Sequence, residues 1–150
     1  MNEKTKLELK SLFMVDINAI AVNQMDEVQY YLLFVTNTAP QDSNKITYIM
    51  TQNPRYKTKE GIKVGSTIKD AEAIYGKATL AYNTENESRE YVEFERFPSS
   101  PSISFRPNST DCEGFAGIYA ENKSYNQTEN YRDDAKIDTI EVTCTLINCP

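Results

Sequence analysis

A chain of 150 residues suffices for one domain, 1–150, burying roughly two-thirds of its unfolded surface around a single core. Its 22 acidic and 16 scattered basic residues give a net charge of −6, which excludes nucleic acid and an anionic membrane surface as partners, since both need clustered Lys and Arg. There is no histidine, so Ser-His-Asp and Cys-His nucleophile pairs and imidazole metal sites are excluded too.

Strand-like segments recur along the chain with turn signals between them. A short helix is expected near Lys4 to Phe13. Leu12 to Val22 follows as a long apolar-rich run, in which Ile17, Ala19 and Ala21 alternate with Asn18 and Ile20. Val28 to Thr36 (VQYYLLFVT) is more continuously apolar, as a central strand covered on both faces is. The cluster Thr38 to Asn44 marks a turn. Lys45 to Thr51 reads as the next strand, with Ile46, Tyr48 and Met50 on one face and Ile49 on the other; Asn53-Pro54 then turns the chain.

The stretch Thr58 to Gly76 (TKEGIKVGSTIKDAEAIYG) is the most legible. Ile62 and Val64 alternate with Lys63 as a short half-buried strand does, and Gly65 ends it. Thr67 caps a helix, with Asp70 three residues on to complete a capping box. Ile68, Ala71, Ile74 and Tyr75 share one helical face, and Gly76 stands where a left-handed stop is needed. Beyond the helix, Leu80 to Tyr82 begins a strand and Asn83 to Ser88 is a polar turn. Glu90 to Phe97 alternates with Val92 and Phe94 inward and Glu93 and Glu95 outward. Pro98 to Pro101 makes a corner, and Ser102 to Arg106 is a short strand burying Ile103 and Phe105. Lys136 to Leu146 is the last strand, with Ile140, Val142, Cys144 and Leu146 on one face. Between these two lies a long polar region, about 107–135, in which only Phe115 to Ala120 reads as a strand; loops of that length in compact domains tend to be functional or mobile.

Catalytic and cofactor signatures are missing. Neither G-x-x-x-x-G-K-[ST] nor G-x-G-x-x-G occurs, so no phosphate loop is predicted, and no cofactor. Three cysteines without a short C-x-x-C spacing make a poor zinc site, and no calcium loop is present, so no metal is predicted. Asp133-Asp134, Asp111 with Glu113 and the acids from Glu85 to Glu95 are the candidates for carboxylate chemistry, but Glu93 and Glu95 read as solvated strand positions and Asp133-Asp134 as a turn. Cys112, Cys144 and Cys149 allow one disulfide among three pairings, which implies an oxidising compartment. Of 10 Tyr and 6 Phe with no Trp, Tyr119, Tyr125 and Tyr131 lie in the polar region, interleaved with Asn122, Asn126 and Asn130. Tyrosine with asparagine suits adaptable recognition surfaces; the alternative is that these rings fold back over the sheet edge with wet hydroxyls. Four N-x-[ST] triplets, at Asn86, Asn108, Asn122 and Asn126, bear on a glycosylated setting only.

From Ile46 through Gly76 the pattern I-T-Y-I-M-T, then T-x-x-G-I-x-V-G-S-T and Y-G, resembles uncharacterised secreted or lipid-anchored bacterial domains, in which that phrase precedes a short helix. The helix entry Gly65-Ser66-Thr67 is also similar to one in small outer-membrane assembly lipoproteins and in β-lactamase-inhibitor proteins. The resemblance covers about a fifth of the chain. It implies an α+β fold and a bacterial envelope setting and carries no catalytic residue across.

The expectation is an α+β fold, mainly antiparallel β-sheet with one or two short helices packed on one face. No run approaches the roughly 20 apolar residues of a membrane span, so no membrane insertion is expected. The N-terminal residues lack a signal peptide's apolar core; the setting is expected to be extracytoplasmic, periplasmic or secreted, with the leader outside this sequence, and the alternative is a cytoplasmic protein. The function expected is non-enzymatic binding of a protein or glycan, as a monomer or weak dimer, through one sheet face or through Tyr119, Tyr125 and Tyr131. The alternative is an inhibitor or immunity-type protein that blocks an enzyme by surface complementarity; a carboxylate-dependent hydrolase ranks below both.

Overall fold

Residues that alternate apolar and polar with period two can bury one side only by pairing into a sheet. The computed structural model describes residues 6–11, 18–34, 45–97, 103–108 and 114–144, with backbone alone for 6–11 and Asn18. It contains nine strands: β1 (Lys6–Ser11), β2 (Asn18–Gln24), β3 (Glu27–Phe34), β4 (Tyr48–Thr51), β5 (Ala78–Asn83), β6 (Arg89–Phe94), β7 (Ile103–Pro107), β8 (Tyr125–Thr128) and β9 (Ile137–Thr143). One α-helix, α1 (Ile68–Tyr75), and a 3₁₀ turn over Thr84–Asn86 complete the regular structure. All nine strands form one sheet in the order β1-β2-β3-β4-β9-β7-β6-β5-β8, and every neighbouring pair is antiparallel. A mainly antiparallel sheet with a helix is thus the architecture, as expected.

The helix begins as its sequence requires. Thr67 is extended (φ −69°, ψ 152°) and its hydroxyl accepts the Asp70 N–H at 3.0 Å. Gly76 ends it, donating its N–H to Glu72 O, with φ +82° and ψ −174°. That is the glycine-only extended region rather than the left-handed helical well expected. Ile68, Ala71 and Tyr75 are buried, but Ile74 is 42% exposed. At about 100° per residue Ile74 sits far around the helix from Ile68, and eight residues are too few to bury so wide a stripe.

Four other expectations are corrected. Residues 6–11 form β1, not a helix: Leu7 and Leu9 alternate with Lys6, Glu8 and Lys10, and Leu7 lies opposite Val22 in β2. Ile62 and Val64 belong to no strand. They sit beside a tight turn closed by a single bridge, Lys57 to Lys63, and by the Thr58 N–H bonded to Ile62 O. β3 is interior to the sheet without being covered on both faces, since Tyr30, Tyr31 and Leu32 stay half-exposed. In the polar region the strand is β8, pairing with β5 at the sheet's end. Phe115 to Ala120 is not a strand: it makes a single antiparallel bridge, Gly117 to Tyr131, while the N–H groups of Ala116 and Gly117 go to the Glu90 carboxylate. The expectations for Ile17, Leu146, Cys112, Cys149, Asp111 and Glu113 lie outside the described residues.

The main core joins Ile68, Ala71 and Tyr75 of α1 to Ala78, Leu80, Val92, Phe94, Phe105, Ile137 and Ile140 from β5, β6, β7 and β9. Tyr75 meets Phe94, Phe97 and Phe105 with ring centroids 5.8, 4.7 and 6.4 Å away. Ile137 and Ile140 are three apart yet share this core. The β7–β9 register shifts between Arg106 and Pro107, which resets the alternation there. A second, smaller cluster of Ala19, Leu33 and Met50, with Tyr31 and Tyr48 against it, joins β2, β3 and β4.

Candidate functional site

The register lines up apolar residues from four strands. Leu32 lies opposite Ile49, Ile49 opposite Val142, and Val142 opposite Ile103, one row across β3, β4, β9 and β7. The next row sets Thr51 opposite Ile140 and Ile140 opposite Phe105. Phe105 is fully inside the main core. The rest of these rows, with Tyr30, Ile46, Tyr56, Lys57 and Thr58, line an open groove of about 520 Å³. Such a volume is in the range of ordinary ligand sites. Ile46 lines it beside Ile49, not with Tyr48 and Met50 as expected, because β4 starts only at Tyr48 and its alternation does not reach back. Both threonine hydroxyls are engaged: Thr51 donates to Gln29 O at 2.7 Å and Thr58 bonds the Tyr75 hydroxyl at 2.6 Å. Tyr30 and Tyr56 stand edge to face, centroids 6.1 Å apart.

At the other end of the sheet a carboxylate is buried. Glu90 is 4% exposed and accepts three bonds of 2.8 Å: Ala116 N–H on Oε2, Gly117 N–H and the Tyr119 hydroxyl on Oε1. Gly117 is there for room, since a Cβ would come within 2.8 Å of Thr128 and Tyr119 and 2.9 Å of Glu90 Oε1. The strand alternation pointed at this group: if Val92 and Phe94 face inward, so does Glu90.

The three tyrosines expected to bind have different surroundings. Tyr119 is half-buried, stacked edge-on against Tyr82 and Phe115 and tied to Glu90; burial and that carboxylate push its phenol well up. Tyr131 packs against the main core and donates to Glu72 Oε2 at 2.9 Å; burial, then Glu72, pushes its phenol up to about 12. Tyr125 is 56% exposed on β8.

The remaining carboxylates are occupied or solvated. Glu72 also accepts the Ala78 N–H. Glu141 is raised by burial, opposed by Arg106 at 3.6 Å, and accepts from Tyr91 at 3.5 Å. Asp133-Asp134 is a turn, and Glu93 and Glu95 are exposed, as the sequence predicts. No cluster of His, Cys, Asp or Glu among the described residues can hold a metal ion. Cys144 is half-buried just past β9, its N–H bonded to Thr47 O at 2.8 Å. Among the described residues no helix is long and apolar enough to cross a membrane. Comparison with family models, curated proteins and solved structures finds no match.

Proposed function

We propose that this is a non-enzymatic binding domain of the bacterial envelope or extracellular space that seats an apolar ligand, or an apolar part of a protein partner, in the groove across β3, β4, β9 and β7. The observation that carries this reading is the row Leu32–Ile49–Val142–Ile103, left open to solvent where the core's cover stops. An open row of aliphatics gains from any apolar surface laid on it, at about 25 cal/mol per Å² buried. A glycan fits this groove less well, because sugar hydroxyls need convergent donors and acceptors and both lining threonines are already bonded. The reading takes α1 as packed on one face of the sheet, the face that continues into the groove; Phe105 and Ile140, shared by the core and the rows, support that. The non-catalytic part is supported by the engagement of Glu72, Glu90 and Glu141 with protein donors. The extracytoplasmic setting is supported by Cys144, which is disulfide-bonded, since disulfides persist in oxidising compartments.

The test uses the neutral apolar probe N-phenylnaphthylamine. Its fluorescence should rise on adding folded protein, be lost with Ile49→Glu and persist with Tyr125→Ala. Loss with Tyr125→Ala and retention with Ile49→Glu would move the site to the polar region.

A further inference from the structure

We infer that the groove accepts a medium-chain fatty acid, its hydrocarbon chain lying across β3, β4, β9 and β7 and its carboxylate at Lys57; this rests on the groove being the binding site. Three features of the molecule argue for that occupant. The aliphatic row crosses three interstrand steps, about 14 Å at the usual strand spacing, which is the reach of a medium-length alkyl chain.

The floor offers an alkyl chain contact and offers a peptide nothing more. The groove lies on a sheet face, where the backbone groups of β4, β9 and β7 are spent on their neighbours, and both lining threonine hydroxyls are bonded within the protein. A peptide laid there would bury its own N–H and C=O groups without partners. An alkyl chain has none to bury.

Among the described lining residues Lys57 alone is charged; beside it in the chain Tyr56 packs edge to face on Tyr30 of β3, while the lining residues of β7 and β9, Ile103, Ile140 and Val142, are all aliphatic. In a chain of net charge −6, the 57–63 turn carries Lys57, Lys59 and Lys63 against Glu60 alone. The Glu60 carboxylate already accepts the Tyr75 hydroxyl at 2.8 Å, a bond that lowers its pKa and keeps it turned to that phenol. An anionic head therefore finds a basic rim at Lys57, next to Tyr56.

Sodium dodecanoate below its micelle concentration should give saturable shifts in amide correlation spectra, centred on Leu32, Ile49, Lys57, Ile103 and Val142. Lys57→Glu, on an exposed turn where folding is safe, should weaken it about fivefold, as reversal of an exposed ion pair does. Dodecyltrimethylammonium, with the same chain and the opposite head, should bind more weakly than dodecanoate. Equal binding of the two surfactants, or shifts centred elsewhere, overturns the inference. If N-phenylnaphthylamine occupies the groove and dodecanoate does not, the fatty-acid inference fails while the groove reading stands; if neither does, both fail.

Discussion

Replacing Glu90 by Ala should be among the most damaging single changes in the molecule. The substitution removes a buried carboxylate and strands three donors at once, the N–H groups of Ala116 and Gly117 and the Tyr119 hydroxyl. A buried donor without a partner costs roughly 1–3 kcal/mol. Water entering the space left behind relieves part of that, so a loss of about 4 kcal/mol is expected. At about 2–4 °C per kcal/mol for a chain of this size, Tm should fall by about 8–16 °C. Glu90→Gln separates charge from shape. Its carbonyl can keep the two bonds now made by Oε1, but its amide then opposes the Ala116 N–H, for a loss of about 2 kcal/mol. Urea midpoints give both values, and hydrogen exchange at Ala116 and Gly117 gives the local readout. The wild-type amides should exchange only on global opening, and those of the Ala variant far sooner. A Glu90→Ala protein within about 1 kcal/mol of wild type would mean that the 114–119 segment is held by its rings and not by this carboxylate.

Two glycines should respond differently to the same methyl group. Gly117→Ala puts a Cβ within 3 Å of Thr128, Tyr119 and Glu90 and should cost about 2–3 kcal/mol. Gly61→Ala meets nothing within 4 Å and carries only its positive φ of +95°, worth about 1 kcal/mol; equal losses in thermal unfolding would refute the crowding argument. At high pH, Tyr131 holds its proton up to about 12 in the folded protein against roughly 10 when unfolded. The folded state thus binds more protons in that window, and its contribution, complete below pH 10, is lost as pH rises towards 12. Tyr131→Phe should flatten the alkaline decline in stability between those values and remove one late-titrating phenolate from the absorbance titration; an unchanged titration would show that Tyr131 ionises like an exposed phenol.

Much of the local structure was legible because it is written in neighbouring residues. The Thr67 cap, the buried positions of α1 and its stop at Gly76 depend on side chains within a few residues of one another. So do the Asn53 turn, where the Asn53 carboxamide accepts the Arg55 N–H, and the alternation of Val92 and Phe94 against Glu93 and Glu95. Glu90 was legible by the same parity. Where local rules failed, a distant partner had decided: β8 is a polar segment that becomes a strand because β5 offers it an unpaired edge, and Phe115 to Ala120 keeps a single bridge to Tyr131 while two of its N–H groups go to a carboxylate on β6.

Sequence by itself determined that the chain would build an antiparallel sheet around one dependable helix and that histidine chemistry was excluded, since both follow from period and composition. Only the tertiary structure decided the rest. Thr51 meets Ile140, and Ile49 meets Val142, through the pairing of segments far apart in the chain. Period-two alternation says which side chains share a face of one strand and is silent on which strand lies alongside. The groove is a property of four strands in register. The hydroxyls of Tyr119 and Tyr131 go to Glu90 and Glu72, because a phenol that buries its ring must also find a partner for its hydroxyl.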